Sequence, residues 1–152
     1  MGLDISAYKK INHKEERVAH IFGISYGGFN AFREFVAKAA CGYSKDNVTL
    51  QCIPDDLDMG NWTKSRPLSK YTNLEILGRY KGLIHLLAHA DNEGTISRRQ
   101  TRELWFAVSA LHADIIKGVR PPGDNLAWVE RLGDLMAGTM LAVQHDAYLV
   151  FH

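Results

Sequence analysis

Strand patterns stand at both ends of this chain with helical patterns between them, and that arrangement restricts the fold more than any other feature. Leu3-Asp4-Ile5-Ser6-Ala7-Tyr8 alternates apolar and polar without a break, as a strand with one buried face does. Tyr148-Leu149-Val150-Phe151-His152 is strand-forming by composition. Alternation in the second segment puts Leu149 and Phe151 on one face and Tyr148, Val150 and His152 on the other. Repeated strand-helix-strand units would not separate their strands this way. The pattern predicts an α+β domain, residues 1–152. Its small, mainly antiparallel sheet has three or four strands packed with about four helices, and the two terminal strands lie side by side.

Between the ends, Lys9 to Arg17 reads as a solvated connection and Val18 to Ile24 as a second strand weakened by Gly23. Ser25-Tyr26-Gly27-Gly28 reads as a turn, after which Phe29, Phe32, Val36 and Ala39 mark an amphipathic helix ending near Gly42. Val48 to Ile53 is a further strand, bounded by Pro54, and Pro54 to Lys70 is the longest loop. Leu74 to Ala90 has a helical pattern broken at Gly78 and Gly82, with Leu83 to Ala88 continuous. The next helix is marked by a capping box, Ser97 with Gln100, and by the stripe Leu104, Val108, Leu111 and Ile115. Gly118, Pro121 and Pro122 end it. After Asp124 as N-cap, Leu126, Val129, Leu132, Met136, Met140 and Val143 mark a last helix to about Gln144.

Composition narrows the function classes. Hydrophobic residues make up 46% of the 152 residues and charged residues 23%, which disfavours disorder and coiled coil and predicts a real core. Eighteen Lys and Arg against 17 Asp and Glu leave a formal charge of +1, so no overall field steers the chain to nucleic acid or acidic membrane, and a charge-based site must be local. With no apolar run of membrane-span length and no basic, then apolar, leader at Met1, a cytoplasmic protein is expected, with Cys41 and Cys52 as free thiols.

Local features supply the candidate chemistry. Arg98, Arg99 and Arg102 sit in the first turn of the Ser97 helix, where acidic side chains are the rule. Either Asp91 and Glu93 neutralise them, or the guanidinium groups and free backbone N–H groups form an anion site. A second helix start pairs Tyr26-Gly27-Gly28, through which a backbone could approach a ligand, with Asn30 and Arg33. His85 and His89 stand at zinc-pair spacing, but the residue after His85 is not the Glu that a metalloprotease uses as base. Asp91 to Ser97 is turn-like, yet the calcium-loop end positions would be His89 and Gln100 instead of carboxylates. No metal or cofactor is therefore expected. Trp62, Lys64, Arg66, Lys70 and Tyr71 mix basic and aromatic groups in the long loop, a pattern that solvated loop charge explains better than base stacking in a neutral chain.

The segments Met1-Gly2-Leu3-Asp4-Ile5, Ser25-Tyr26-Gly27-Gly28-Phe29-Asn30-Ala31-Phe32-Arg33, Asp91-Asn92-Glu93-Gly94-Thr95-Ile96 and Phe151-His152 resemble those of small uncharacterised proteins of tailed bacteriophages and prophages. Members of that group share the opening, an S-Y-x-G-Y-N-x-W-R stretch, a D-x-E-G-x-I turn and an F-H end. Phe29 and Phe32 replace the group's Tyr and Trp, and His89 replaces an aromatic residue. The resemblance implies a phage-encoded accessory protein in the host cytoplasm, and a polar set of Ser25, Tyr26, Asn30, Arg33, Asp91, Glu93 and His152. With Arg98 and Arg99 added, these residues suit a non-enzymatic protein that sequesters a small, nucleotide-like anion or a host protein, for example against host defence. The alternative is a hydrolase or phosphoesterase with Asp91 or Glu93 as base, His152 as acid and Arg33 holding phosphate.

Overall fold

The computed structural model describes residues 2–41, 78–87, 94–119 and 126–152. Among these the elements are β1 (Gly2–Ile11), β2 (Lys14–Ser25), α1 (Tyr26–Cys41), a 3-10 helix (Gly78–Leu83) continuing into the single turn α2 (Ile84–Leu87), β3 (Gly94–Ile96), α3 (Arg98–Ile116), α4 (Leu126–Gln144) and β4 (Tyr148–Phe151). The strands form one antiparallel sheet in the order β2-β1-β4-β3, so the two ends of the chain pair as the alternation predicts.

Leu3, Ile5 and Ala7 of β1 are fully buried, and Ile5 and Ala7 lie opposite Phe151 and Leu149 of β4. This face meets Phe29, Phe32 and Val36 of α1, Leu104, Val108 and Leu111 of α3 and Leu132 and Leu135 of α4 in one contiguous core. Phe22 of β2 packs edge-on to Phe32 at 5.8 Å between ring centres. Ile5 faces Phe22 while Ser6 faces His20, so Ile21 is an extra residue on β2, and the bulge lets Ile21 and Phe22 both join the core.

Four segments differ from the sequence reading. Lys9 to Arg17 is not a connection but the outer half of a hairpin that turns at Asn12-His13 with φ of 51° and 68°. Lys10 to Arg17 is exposed throughout, so the outer hairpin has no dry face and no alternation betrays its strands. Tyr26 to Gly28 is the first turn of α1 instead of a free turn: the Gly28 N–H donates to Ser25 Oγ at 3.0 Å, making Ser25 the cap. Gly28 itself leaves room for that cap, because a Cβ there would fall 2.9 Å from Ser25 Oγ. The helical pattern near Gly78 and Gly82 begins as a 3-10 helix. Finally, Gly94 to Ile96, read as part of a turn, adds β3 beside β4.

The capping box on α3 is present in full: the Gln100 N–H donates to Ser97 Oγ at 3.2 Å and the Ser97 N–H to Gln100 Oε1 at 3.1 Å. At the other end Gly118 adopts φ of 78°, the Gly118 N–H donates to Ile115 O, and the Val119 N–H to Asp114 O. The strand expected at Val48 to Ile53, the loop Pro54 to Lys70, His89, Asp91, Glu93, Cys52 and Asp124 lie outside the described residues, as does the side chain of Cys41.

Candidate functional site

A cavity of about 520 Å³ opens where three pieces of chain converge: the hairpin at Lys9, Lys10 and Glu15, the β3–α3 junction at Thr95 to Arg98, and the α4–β4 turn at His145 to Tyr148. Topology brings them together, since β4 pairs with β1 on one side and with β3 on the other. The Ser97 cap satisfies the Gln100 N–H, and the positive end of the α3 dipole faces the same space.

The α4–β4 turn places an acid in this cavity by an unusual route. Asp146 has φ of 51°, its N–H donates to Val143 O, and the Ala147 N–H donates to Ala142 O, the helix-ending pattern in which glycine is the unstrained residue. From there Asp146 Oδ2 meets Arg98 Nη1 at 3.1 Å. Across the cavity the Tyr148 hydroxyl donates to Glu15. Both acids are thus engaged, whereas neither Lys9 nor Lys10, which stand opposite Glu16 and Glu15 in the hairpin, makes a salt bridge among the described residues.

Burial, reinforced by the Glu15 carboxylate, pushes the Tyr148 phenol up from 10.0 to about 12. A raised folded value means that its contribution to stability is complete below the ordinary tyrosine range and disappears as pH rises through about 12. A pH titration followed by phenolate absorbance is expected to show a late step that Tyr148→Phe removes and that Glu15→Gln moves to lower pH; an unchanged curve in the Glu15 variant refutes the coupling.

Those residues singled out from sequence that are described do not converge on one point. Arg98 lines the cavity. Arg99 instead donates from Nε to Glu103 Oε1 at 3.3 Å, so Asp146 and Glu103 answer the two arginines. Arg33 is fully buried, where its guanidinium donates to Asn30 and to Leu87 O and stacks 4.5 Å from the centre of the Phe29 ring. It thereby donates to the last carbonyl of α2. Tyr26 packs against the core.

His152 exchanges backbone hydrogen bonds with Asp4, and its ring stands edge-on to Tyr8 at 6.3 Å, on the solvent face where His20 Nε2 lies 3.0 Å from Asp4 Oδ1. Arg33 and His152 are therefore on opposite sides of the sheet. His85 Nε2 lies 2.5 Å from Glu103 Oε2, and that hydrogen bond holds the Glu103 carboxyl below its usual range. Among the described residues no three His, Cys, Asp or Glu are grouped to hold a metal ion, and no helix is long and apolar enough to cross a membrane.

Lys9, Lys10, His145, Asp146 and Tyr148 were not marked by the sequence. Only the Lys9-Lys10 pair next to the Asn12-His13 turn carried a local signal, because the rest of the site depends on long-range strand pairing. Comparison of the chain with protein-family models, curated proteins and solved structures finds no match.

Proposed function

We propose that the protein binds a small phosphate-bearing, nucleotide-like anion in the cavity between the hairpin and the start of α3. The observation that carries this reading is a cavity lined by Lys9 and Lys10, neither of which makes a salt bridge among the described residues, together with Arg98 and the positive end of a helix. A volume of about 520 Å³ suits a molecule of nucleotide size. Together with the resemblance to tailed-phage proteins, the reading is of an accessory protein that sequesters such a ligand in the host cytoplasm, in the manner of a host-defence antagonist.

Thermal melting with inorganic phosphate, nucleotides and cyclic nucleotides tests it. A ligand at about 100 times its Kd contributes about 2.7 kcal/mol, which raises Tm by several degrees. Lys9→Glu with Lys10→Glu is expected to abolish the shift, and Arg98→Ala to reduce it. Silence across the panel refutes the anion reading and turns the search to a host protein as partner.

A further inference from the structure

A second cleft lies on the other side of α3. Gly82 brings the 3-10 helix so close to α3 that a Cβ there would fall 2.0 Å from Glu103 O. That seating carries His85, three residues on, to its hydrogen bond with Glu103, whose other carboxylate oxygen takes the Arg99 Nε–H at 3.3 Å. The remaining space, about 340 Å³, is lined by Ile84, Ala107 and Phe106, with polar groups from Arg79, Lys81 and His85.

Two features of this cleft are unspent by the fold. Phe106 is 66% exposed, its ring 4.9 Å from Trp105, so a large aromatic surface faces water. Arg79 is held by Asp114 at 2.7 Å and Glu103 by His85 and Arg99, but Lys81 has no acidic partner among the described residues. An aromatic ring beside an unanswered ammonium matches a molecule made of a flat ring and one acidic group. We infer that this cleft is a ligand site separate from the first cavity, taking a small ring-bearing anion: the ring lies against Phe106, the acidic group meets Lys81, and His85, with Nε2 engaged, offers Nδ1.

Nucleoside monophosphates and aromatic carboxylates share this chemistry, and calorimetric titration with AMP, indole-3-acetate and inorganic phosphate separates them. Protein carrying Lys9→Glu and Lys10→Glu silences the first cavity, and the unsubstituted chain is titrated in parallel. Saturable AMP binding is expected, weakened at least tenfold by Lys81→Glu and again by Phe106→Ala, with melting unchanged because both side chains are exposed. Indole-3-acetate binding as well as AMP assigns recognition to ring plus acid, and AMP binding alone assigns it to the phosphate. Inorganic phosphate binding as tightly as AMP, saturation by neither ring-bearing anion, or affinities indifferent to both substitutions overturns the site without touching the result at Lys9 and Lys10.

Discussion

Removing Phe151 and His152 is expected to cost the fold about 3–5 kcal/mol, the range for losing a buried aromatic side chain. Phe151 is 1% exposed, lies 6.0 Å from the Phe29 ring, and stands opposite Ile5 on one side and Gly94 on the other. It is therefore the end of an inner strand, and its loss opens a hole between the sheet and α1. The truncation also removes the paired backbone bonds between Asp4 and His152, at 2.7 and 2.9 Å. With stabilities of about 5–15 kcal/mol common for single domains, the truncated chain is left marginal. His152→Ala provides the contrast: its side chain is exposed, its backbone bonds survive, and the change is expected to stay within about 1 kcal/mol. Urea unfolding of the two variants measures both. A truncated protein with the midpoint of the intact chain means that β4 does not hold the sheet together.

The terminal strands were legible because each half-buried strand writes its burial into an alternation of two, and Leu3, Ile5, Ala7, Leu149 and Phe151 are all buried. The long helices were legible for the same reason at a period of 3.6, with α3 further marked by a capping box that depends on four neighbouring residues alone. Legibility failed where burial does. The outer hairpin has no dry face, and β3 spans three residues, too few to show a period.

The candidate cavity was legible only through Arg98. The arginines at the start of α3 break a local charge rule, and such a break is visible in sequence, but their answering acids are 48 residues away at Asp146 and four away at Glu103. Arg33 shows the converse difficulty. A charged residue in an amphipathic helix reads as surface, yet here Asn30, the Leu87 carbonyl and the Phe29 ring accommodate it in the core. Pairing partners of this kind are decided by tertiary packing, which a single chain's spacing does not record.

Gly82→Ala is expected to destabilise the protein by about 3 kcal/mol, the upper end of ordinary overpacking penalties. The new methyl would lie 2.0 Å from Glu103 O and 2.5 Å from Glu103 C, both backbone atoms in the second turn of α3, so no side-chain rotation relieves it. Relief requires the 3-10 helix to lift, and that segment carries Tyr80 and Leu83, which are 2% and 0% exposed, together with the hydrogen bond from the Tyr80 hydroxyl to Asp114. Gly118→Ala separates this steric effect from backbone strain. Gly118 has φ of 78° but nothing within 4 Å of an added Cβ, so its replacement costs only the left-handed backbone penalty of about 1–2 kcal/mol. Denaturant midpoints that fall further for Gly82→Ala than for Gly118→Ala establish the close contact as the larger constraint. Because His85 stands on α2, which continues directly from that 3-10 helix, Gly82→Ala is also expected to loosen the His85–Glu103 pair and return the Glu103 carboxyl toward its ordinary range. A Gly82→Ala protein as stable as the parent would mean that the 3-10 helix does not rest on α3.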